Sequence, residues 1–475
     1  MTKQIVIDPI TRIEGHSKVT IQLDETGSVT EARFHVTQYR GFEKFVEGRP
    51  FYEMPGIMGR ICGICTISHS MASAKACDQI MAVSIPYPAR KLRRIVNLAS
   101  ILQSHALSFF YLSSPDFLLG MESDPRKRSI FGLVESHPEI ARDGVRLRKF
   151  GQQIIEWIAG KRLHPTWIVP GGVAAPLTDD VRQRILAEIP EMQSLLRRNV
   201  DWFKRAMEDY SQEIRVFGNF PTMFLGMVDN RTGGLEMYGG NLRIVDERGH
   251  VVEPGFKPKF YPEHIGEAVE PWTFMKFPYY KPRGYPNGIY RVGPLARLNI
   301  IDTCGTPLAD QEWAEFRQLD RRVVLSSFYF HYARLIECIF AIERIEQLLN
   351  EPDILSTRVR AHAGPNNSEG IGVVEAPRGT LMHHYKVDEQ GRIVWANLIV
   401  STTHNNLAIN RSVEQVAHRY VDGTKLTEGM LNRVEAVVRT FDPCLSCSTH
   451  AQNELALNVQ LIGPDGTVLD EVQRG

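Results

Sequence analysis

The chain has 475 residues, 43% of them hydrophobic, which is more than the ~250–300 residues over which one hydrophobic core keeps growing and predicts more than one lobe. Lysine plus arginine and aspartate plus glutamate both number 55, so no net field draws the chain to nucleic acid or to an anionic membrane, and neither is an expected partner. Seven cysteines follow an opening "MTKQIVIDPI" that has neither an apolar leader core nor a twin-arginine signal, which fits a reducing cytoplasm with thiols free for metal.

Residues 4–36 alternate apolar and polar about "DETGS" and predict a hairpin in a β-rich segment 1–55. From residue 66 the pattern turns helical, in "TISHSMASAKACDQIMAV" and "ARKLRRIVNLASILQSHALSFFYL", so 56–216 reads as a helical core; a further helix over 179–215 is expected to bend or break at Pro190. Proline and glycine crowd 217–305, as in "FPYYKPRGYPNGIYRVGP", and predict an irregular connection. The segment 306–450 adds a helix over 321–350 that is apolar on most faces, a hairpin over 370–403 around "VDEQGR", and helices at 411–420 and 427–440. In the last of these, Leu431, Val434, Val437, Val438 and Phe441 form a stripe that delivers the chain to Cys444. Residues 451–475 read as a hairpin around "GPDG". Apolar runs are broken by charge before the ~18 residues that a membrane span needs, so no span is expected. The fold class that follows is α+β, mainly α, with long buried helices in a central bundle and small antiparallel sheets at the N-terminus and near 370–403.

Two C-x-x-C pairs lie almost at opposite ends of the chain, Cys62/Cys65 in "RICGICTISH" and Cys444/Cys447 in "DPCLSCSTH". Each pair puts two sulfurs on one turn, where both can face one metal; alone, each also reads as a zinc half-site or a redox pair. Structural zinc modules keep their pairs ~15–20 residues apart, because the ion substitutes for a small core. A chain of this size needs no such staple, so a four-thiolate site joining its ends points to catalysis by a soft metal: nickel, iron, copper(I) or zinc. Cys77, Cys304 and Cys338 are scattered and read as small buried hydrophobes, too few for an iron–sulfur cluster.

With "DPITRIEGH" at 8–16, "YRGFEKF" at 39–45 and "EAPRGTLMHH" at 375–384, these motifs resemble, in order, the signature elements of nickel–iron hydrogenase large subunits. "HALSFFYLSSPDFLLG" and "YPNGIYRVGPLARLN" most resemble the bidirectional, NAD-linked cytoplasmic branch. The resemblance implies reversible heterolytic cleavage of H2 into protons and electrons at a nickel–iron centre whose iron carries carbon monoxide and two cyanides. Cys62 and Cys444 would be terminal thiolates on nickel, and Cys65 and Cys447 would bridge to iron. Glu14 would take the proton from the Cys444 sulfur. Arg378 would lie over the open coordination face, oriented by Asp116. Pro377, Ser401 and Thr402 would enclose or hydrogen-bond the diatomic ligands, and His69 would reach a bridging sulfur from the first helical turn. Glu43 and His450, with a backbone carbonyl near Ala396, would hold a magnesium (or iron) ion. Asp442 and Pro443 read as an N-cap and first helical position.

In such enzymes the chain is cut after this histidine, so residues 451–475 read as an extension removed by a maturation endopeptidase. No G-x-G-x-x-G after a strand and no P-loop is found, so neither a nucleotide nor an iron–sulfur cluster is expected in this chain. Electrons would pass to a small subunit with an iron–sulfur cluster, then to diaphorase subunits with FMN and further clusters that reduce NAD(P). The alternatives are a hydrogen sensor, a deazaflavin- or NADP-linked hydrogenase large subunit, a non-catalytic relative from respiratory complex I, and a structural zinc protein. The complex I relative would lack the cysteine pairs.

Overall fold

Strands β1 (Lys3–Ile7), β2 (Ser17–Leu23) and β3 (Val29–Val36) form an antiparallel sheet in sequence order, with every second residue of β2 buried, as the alternation predicts. The structure, a computed structural model, describes residues 3–450 together with the backbone of 457–462 and 468–474.

Helices α1 (Thr66–Ile80), α2 (Tyr87–Leu107), α3 (Pro138–Ala159) and α4 (Asp179–Met207) follow. Helix α4 runs through Pro190 without breaking, because Ile185, Ile189, Met192 and Leu196 bury one continuous apolar face that outweighs the lost hydrogen bond.

The stretch 217–305 differs from its expected irregularity. Strands β4 (Met223–Val228), β5 (Asn241–Val245), β6 (Val251–Phe256) and β7 (Tyr290–Arg291) make a sheet of order β7-β4-β5-β6, with β7 parallel to β4 and its own small apolar core. Pro254 and Gly255 lie in β6 on the sheet edge, where a missing N–H costs no ladder bond.

Helix α5 (Pro294–Ile300) leads to α6 (Phe330–Leu349), which is buried on most faces and starts later than expected, after an irregular run and a 3-10 turn at Ser327–Tyr329. Strands β8 (Glu369–Ala376), β9 (Gly379–Val387) and β10 (Ile393–Ile399) form a second antiparallel meander, laid on α1. Helices α7 (Asn406–Tyr420) and α8 (Glu428–Thr440) carry the chain to the four-residue helix α9 (Leu445–Ser448). Thr427 caps α8, its hydroxyl accepting from the Met430 amide at 3.4 Å. Beyond residue 450, β11 (Leu457–Ile462) and β12 (Val468–Arg474) pair antiparallel, as the hairpin reading expects; the "GPDG" turn itself and the proposed cleavage point after His450 involve residues outside those described.

One stretch, Tyr87–Leu118, is long and apolar enough to cross a bilayer, contrary to the reading that no run was; 83% of its apolar window is buried in the interior, and core packing accounts for it. The mixed architecture, rich in helix and with small antiparallel sheets, agrees with the expected class.

Candidate metal centre

The Cys62–Cys65 turn lies between a short helix, Met54–Met58, and α1. Cys65 occupies the N-cap of α1, and Thr66 donates its hydroxyl to the Cys62 carbonyl at 2.8 Å, so the turn is held by the helix it starts. A helix N-terminus favours negative charge, which suits thiolates. The second pair arrives with α8. Asp442 takes a left-handed backbone, φ 51, which swings the chain off the helix axis and into the core, and Cys444 then caps α9. Asp442 and Pro443 therefore precede the cap rather than form it, because that reversal separates α8 from α9.

The four sulfurs of Cys62, Cys65, Cys444 and Cys447 lie within 4.8 Å of one another and all are buried. Cys444 Sγ is 3.5 Å from Cys62, 3.9 Å from Cys65 and 3.0 Å from Cys447, all well beyond disulfide length. Burial pushes the Cys444 and Cys447 thiols far up, while hydrogen bonds from Cys444 and Cys447 hold Cys62 down. Keeping all four as thiolates takes cationic charge at their centre, and four convergent soft donors supply the ligand set for it.

Glu14 and Cys444 form an isolated parallel β-bridge, and the Leu445 amide donates to the Glu14 carbonyl at 3.1 Å. The Glu14 carboxylate lies 3.1 Å from Cys444 Sγ, accepts from the Ser446 amide at 3.0 Å, and also meets the Ser446 hydroxyl. Gln38 Nε2 donates onward to that hydroxyl at 3.3 Å. Gly15 makes the approach possible: its φ is +88, and a Cβ there would stand 2.7 Å from Leu445 Cβ.

Arg378 is buried with Nη1 3.2 Å from Cys65 Sγ and 3.3 Å from the Ser104 hydroxyl. Its carboxylate partner is Asp442, at 3.0 Å, and not Asp116. Asp116 instead meets Arg12 and lies 2.9 Å from Arg439, whose Nε donates to the Thr11 carbonyl at 3.0 Å. Burial would raise the Asp116 carboxyl, but Arg439 and Arg12 outweigh it and hold it low. Asp116 thus anchors the 11–14 strap that carries Glu14 and does not orient Arg378.

A small cavity of about 10 Å³ is lined by Cys65, Cys444, Cys447, Arg378, Ser401 and Thr402, among others. Thr402 accepts from the Cys444 amide at 3.0 Å, and Ser401 donates to the Gly379 carbonyl at 2.7 Å, so the two hydroxyls have separate tasks. His69 faces the same cavity, but its resolved partner is His383, Nδ1 to Nε2 at 3.0 Å, rather than a sulfur. Burial pushes His69 down to about 4.

Glu43 accepts from the Leu398 amide at 2.8 Å and lies 3.6 Å from Lys276 Nζ. His450 is buried and its Nε2 has no hydrogen-bond partner among the described residues. Leu398 sits on β10, the sheet edge, where alternate residues turn both amide and carbonyl outward; Ala396 is two residues back on the same side. A partly buried carboxylate, an unpartnered imidazole nitrogen and edge carbonyls together suit a hard divalent cation with water completing the shell.

The sequence pattern of the family described as nickel-dependent hydrogenase matches residues 40–129 and 245–450. This chain belongs to that family. A pattern described as HoxL-like matches residues 4–39. The NAD-reducing hydrogenase HoxS subunit beta of Cupriavidus necator is 40% identical over 491 aligned residues, spanning all of both chains. Sulfhydrogenase 2 subunit alpha of Pyrococcus furiosus is 32% identical over 94% of this chain and 98% of its own. Among solved structures, an NAD+-reducing NiFe hydrogenase in the H2-reduced state superposes with a TM-score of 0.92 and 44% identity, over 94% of this chain and all of that one. The hydrogenase chain described here is an oxidoreductase, and its four-cysteine group fits a nickel–iron centre.

Proposed function

We propose that this chain is the hydrogen-activating large subunit of an NAD-linked nickel–iron hydrogenase that splits H2 reversibly into protons and electrons. The observation that carries the reading is the buried four-thiol cluster with a carboxylate against one member, Glu14 at 3.1 Å from Cys444 Sγ. Full-length similarity to a protein named as an NAD-reducing hydrogenase supports the NAD link.

Cys62, Cys65, Cys444 and Cys447 would hold the nickel–iron group, whose iron would carry one carbon monoxide and two cyanides. That group, when bound, supplies Lewis acidity and redox capacity. The chain supplies the rest. The Cys444 sulfur takes the proton and Glu14 Oε2 receives it, after which Ser446 and Gln38 continue the hydrogen-bonded line away from the cysteines. Arg378 presents a fixed charge and N–H donors to the cavity, with Asp442 and Ser104 fixing its orientation. Thr402 lines the cavity, as do Ala376 and Arg378 on either side of Pro377, which itself does not.

Glu43, His450 and the Ala396 carbonyl would bind magnesium beneath the centre. Gly63, between the first two ligand cysteines, is exposed, which supports electron exit there to an iron–sulfur small subunit and then to a flavin diaphorase that reduces NAD(P). A cytoplasmic site of action and removal of residues 451–475 by an endopeptidase belong to the same reading. Infrared spectra of the purified complex test it: carbon monoxide and cyanide bands with nickel and iron in about equal amounts are expected. Zinc alone, with no such bands, would end it.

A further inference from the structure

Arg378 stands at the tip of a β-hairpin. Ala376 on β8 pairs with Gly379 on β9, so Pro377 and Arg378 are the entire connection. Two-residue hairpins favour turns with positive φ at their first central position, because these match the twist of the strands. Here the first position is proline, whose ring fixes φ near −65°, and Arg378 has no positive φ either. The connection is therefore of a kind that splays its strands, at the point where a guanidinium must be aimed.

The hairpin is held from behind. Arg297 on α5 donates Nη1 to the Ala376 carbonyl at 3.0 Å and Nη2 to the Pro377 carbonyl at 3.3 Å, the two peptide groups that precede Arg378. Arg297 is itself fixed by Glu337 on α6, at 2.6 and 2.7 Å, and by Glu375 on β8, at 2.7 Å. The other Glu375 oxygen accepts from its cross-strand neighbour Thr380 at 2.7 Å and from the Met227 amide on β4 at 3.1 Å. His105 on α2 completes the group, 2.7 Å from Glu337. Arg297, Glu337, Glu375 and His105 are all fully buried. Among the described residues, none of them hydrogen-bonds to Cys62, Cys65, Cys444 or Cys447.

We propose that Arg297 and Glu375 are positioning residues: they hold the Pro377–Arg378 turn in an unfavoured geometry and so fix the guanidinium against Cys65 and the cavity. A buried network of two carboxylates and one guanidinium is a poor way to gain stability, since apolar side chains of similar volume serve as well or better. It is a good way to set a geometry, because each charge demands its partners in place.

This rests on the proposed hydrogenase activity, which metal content and H2/D2 exchange of the unaltered complex test separately. The experiment is a double-mutant cycle on the purified holo-complex, with Glu375→Gln as the main change, Thr380→Val as a gentler one that leaves every charge in place, and Arg378→Lys as the background. Each variant is read for nickel and iron content, for exchange rate and for infrared bands. With the metals retained, Glu375→Gln is expected to lower exchange by about ten- to a hundredfold, the range for displacing a catalytic group by about 1 Å, and to shift or broaden the infrared bands. Thr380→Val is expected to do the same to a lesser degree. In the Arg378→Lys background the further loss from either change is expected to fall below about twofold, as coupled residues require. Losses that multiply in that background, or metal-loaded variants with unaltered exchange and bands, would overturn the proposal. If Glu375→Gln fails to accumulate folded protein, the Thr380→Val arm decides alone.

Discussion

Asp442 Oδ2 lies 3.0 Å from Arg378 Nη2, and both side chains are buried. Removing one partner of a buried pair leaves a lone charge, so Asp442→Asn is expected to cost about 3–5 kcal/mol in a urea titration as well as activity. Ser104→Ala removes only one neutral acceptor from the same guanidinium and is expected to cost about 1 kcal/mol. Equal, small costs for both would show that Arg378 draws its counter-charge from elsewhere.

Glu14→Gln keeps the shape and the Ser446 contacts but cannot carry a proton. It is expected to retain nickel and iron while H2/D2 exchange falls by at least about a hundredfold, the usual scale for losing a positioned general base. Full exchange in a metal-loaded variant would remove Glu14 from the proton line.

Gly15→Ala puts a Cβ 2.7 Å from Leu445 Cβ at φ +88. Strain in that region costs of order 1–3 kcal/mol, and relief must come from parting the Glu14–Cys444 bridge. The variant is expected to lose exchange activity along with thermal stability, whereas Gly63→Ala, where a Cβ meets nothing within 4 Å, is expected to keep its stability.

Ligand assignment has its own check. Cys62→Ser or Cys444→Ser is expected to leave purified protein without nickel, whereas Cys304→Ser, at a buried site remote in sequence from both pairs, is expected to keep full nickel and iron. Elemental analysis of the three variants reads this directly.

Acid should unfold the protein by way of its interior. Burial pushes His105 down to about 4 and His404 to about 3, so between their ordinary value near 6.5 and those values the unfolded chain binds protons that the folded one refuses. Stability is complete above about pH 6.5 and falls as pH drops towards 4, by a few kcal/mol for each such histidine. Glu337 extends the loss: burial would raise it, but Arg297 and His105 hold it at about 2, so its contribution is present above its ordinary value of 4.5 and fades below that. Urea midpoints from pH 7.5 to 4.5 should decline; His404→Gln should flatten the curve, and a flat curve for the unaltered chain would contradict the assignment.

Much of the site was legible because cysteine, at that spacing, advertises its own chemistry. The Cys62/Cys65 and Cys444/Cys447 turns, the strap with Glu14 and the tip with Arg378 were all marked by local runs of residues. Which carboxylate faces Arg378 was not. The sequence motifs point to Asp116 and make Asp442 an N-cap; the actual pairing depends on a left-handed turn at Asp442 and on Arg439 claiming Asp116, neither of which leaves a local trace. Ser104 carries no signal, since a serine on a buried helix looks like packing, and His383, though inside the "EAPRGTLMHH" run, has nothing there to mark its pairing with His69. The sheet within 217–305 was hidden by Pro254 and Gly255, which an edge strand tolerates and a central one does not.

The bridge between Glu14 and Cys444 joins residues 430 positions apart, and the sulfurs it brings together come from both halves of the separation. A nascent polypeptide on the ribosome therefore exposes one C-x-x-C pair long before the other exists, and no intermediate of synthesis can close the cage. On the proposed function, a metal can be caged by all four sulfurs only after the last residues have been made, which makes metal delivery a matter of timing as much as of affinity.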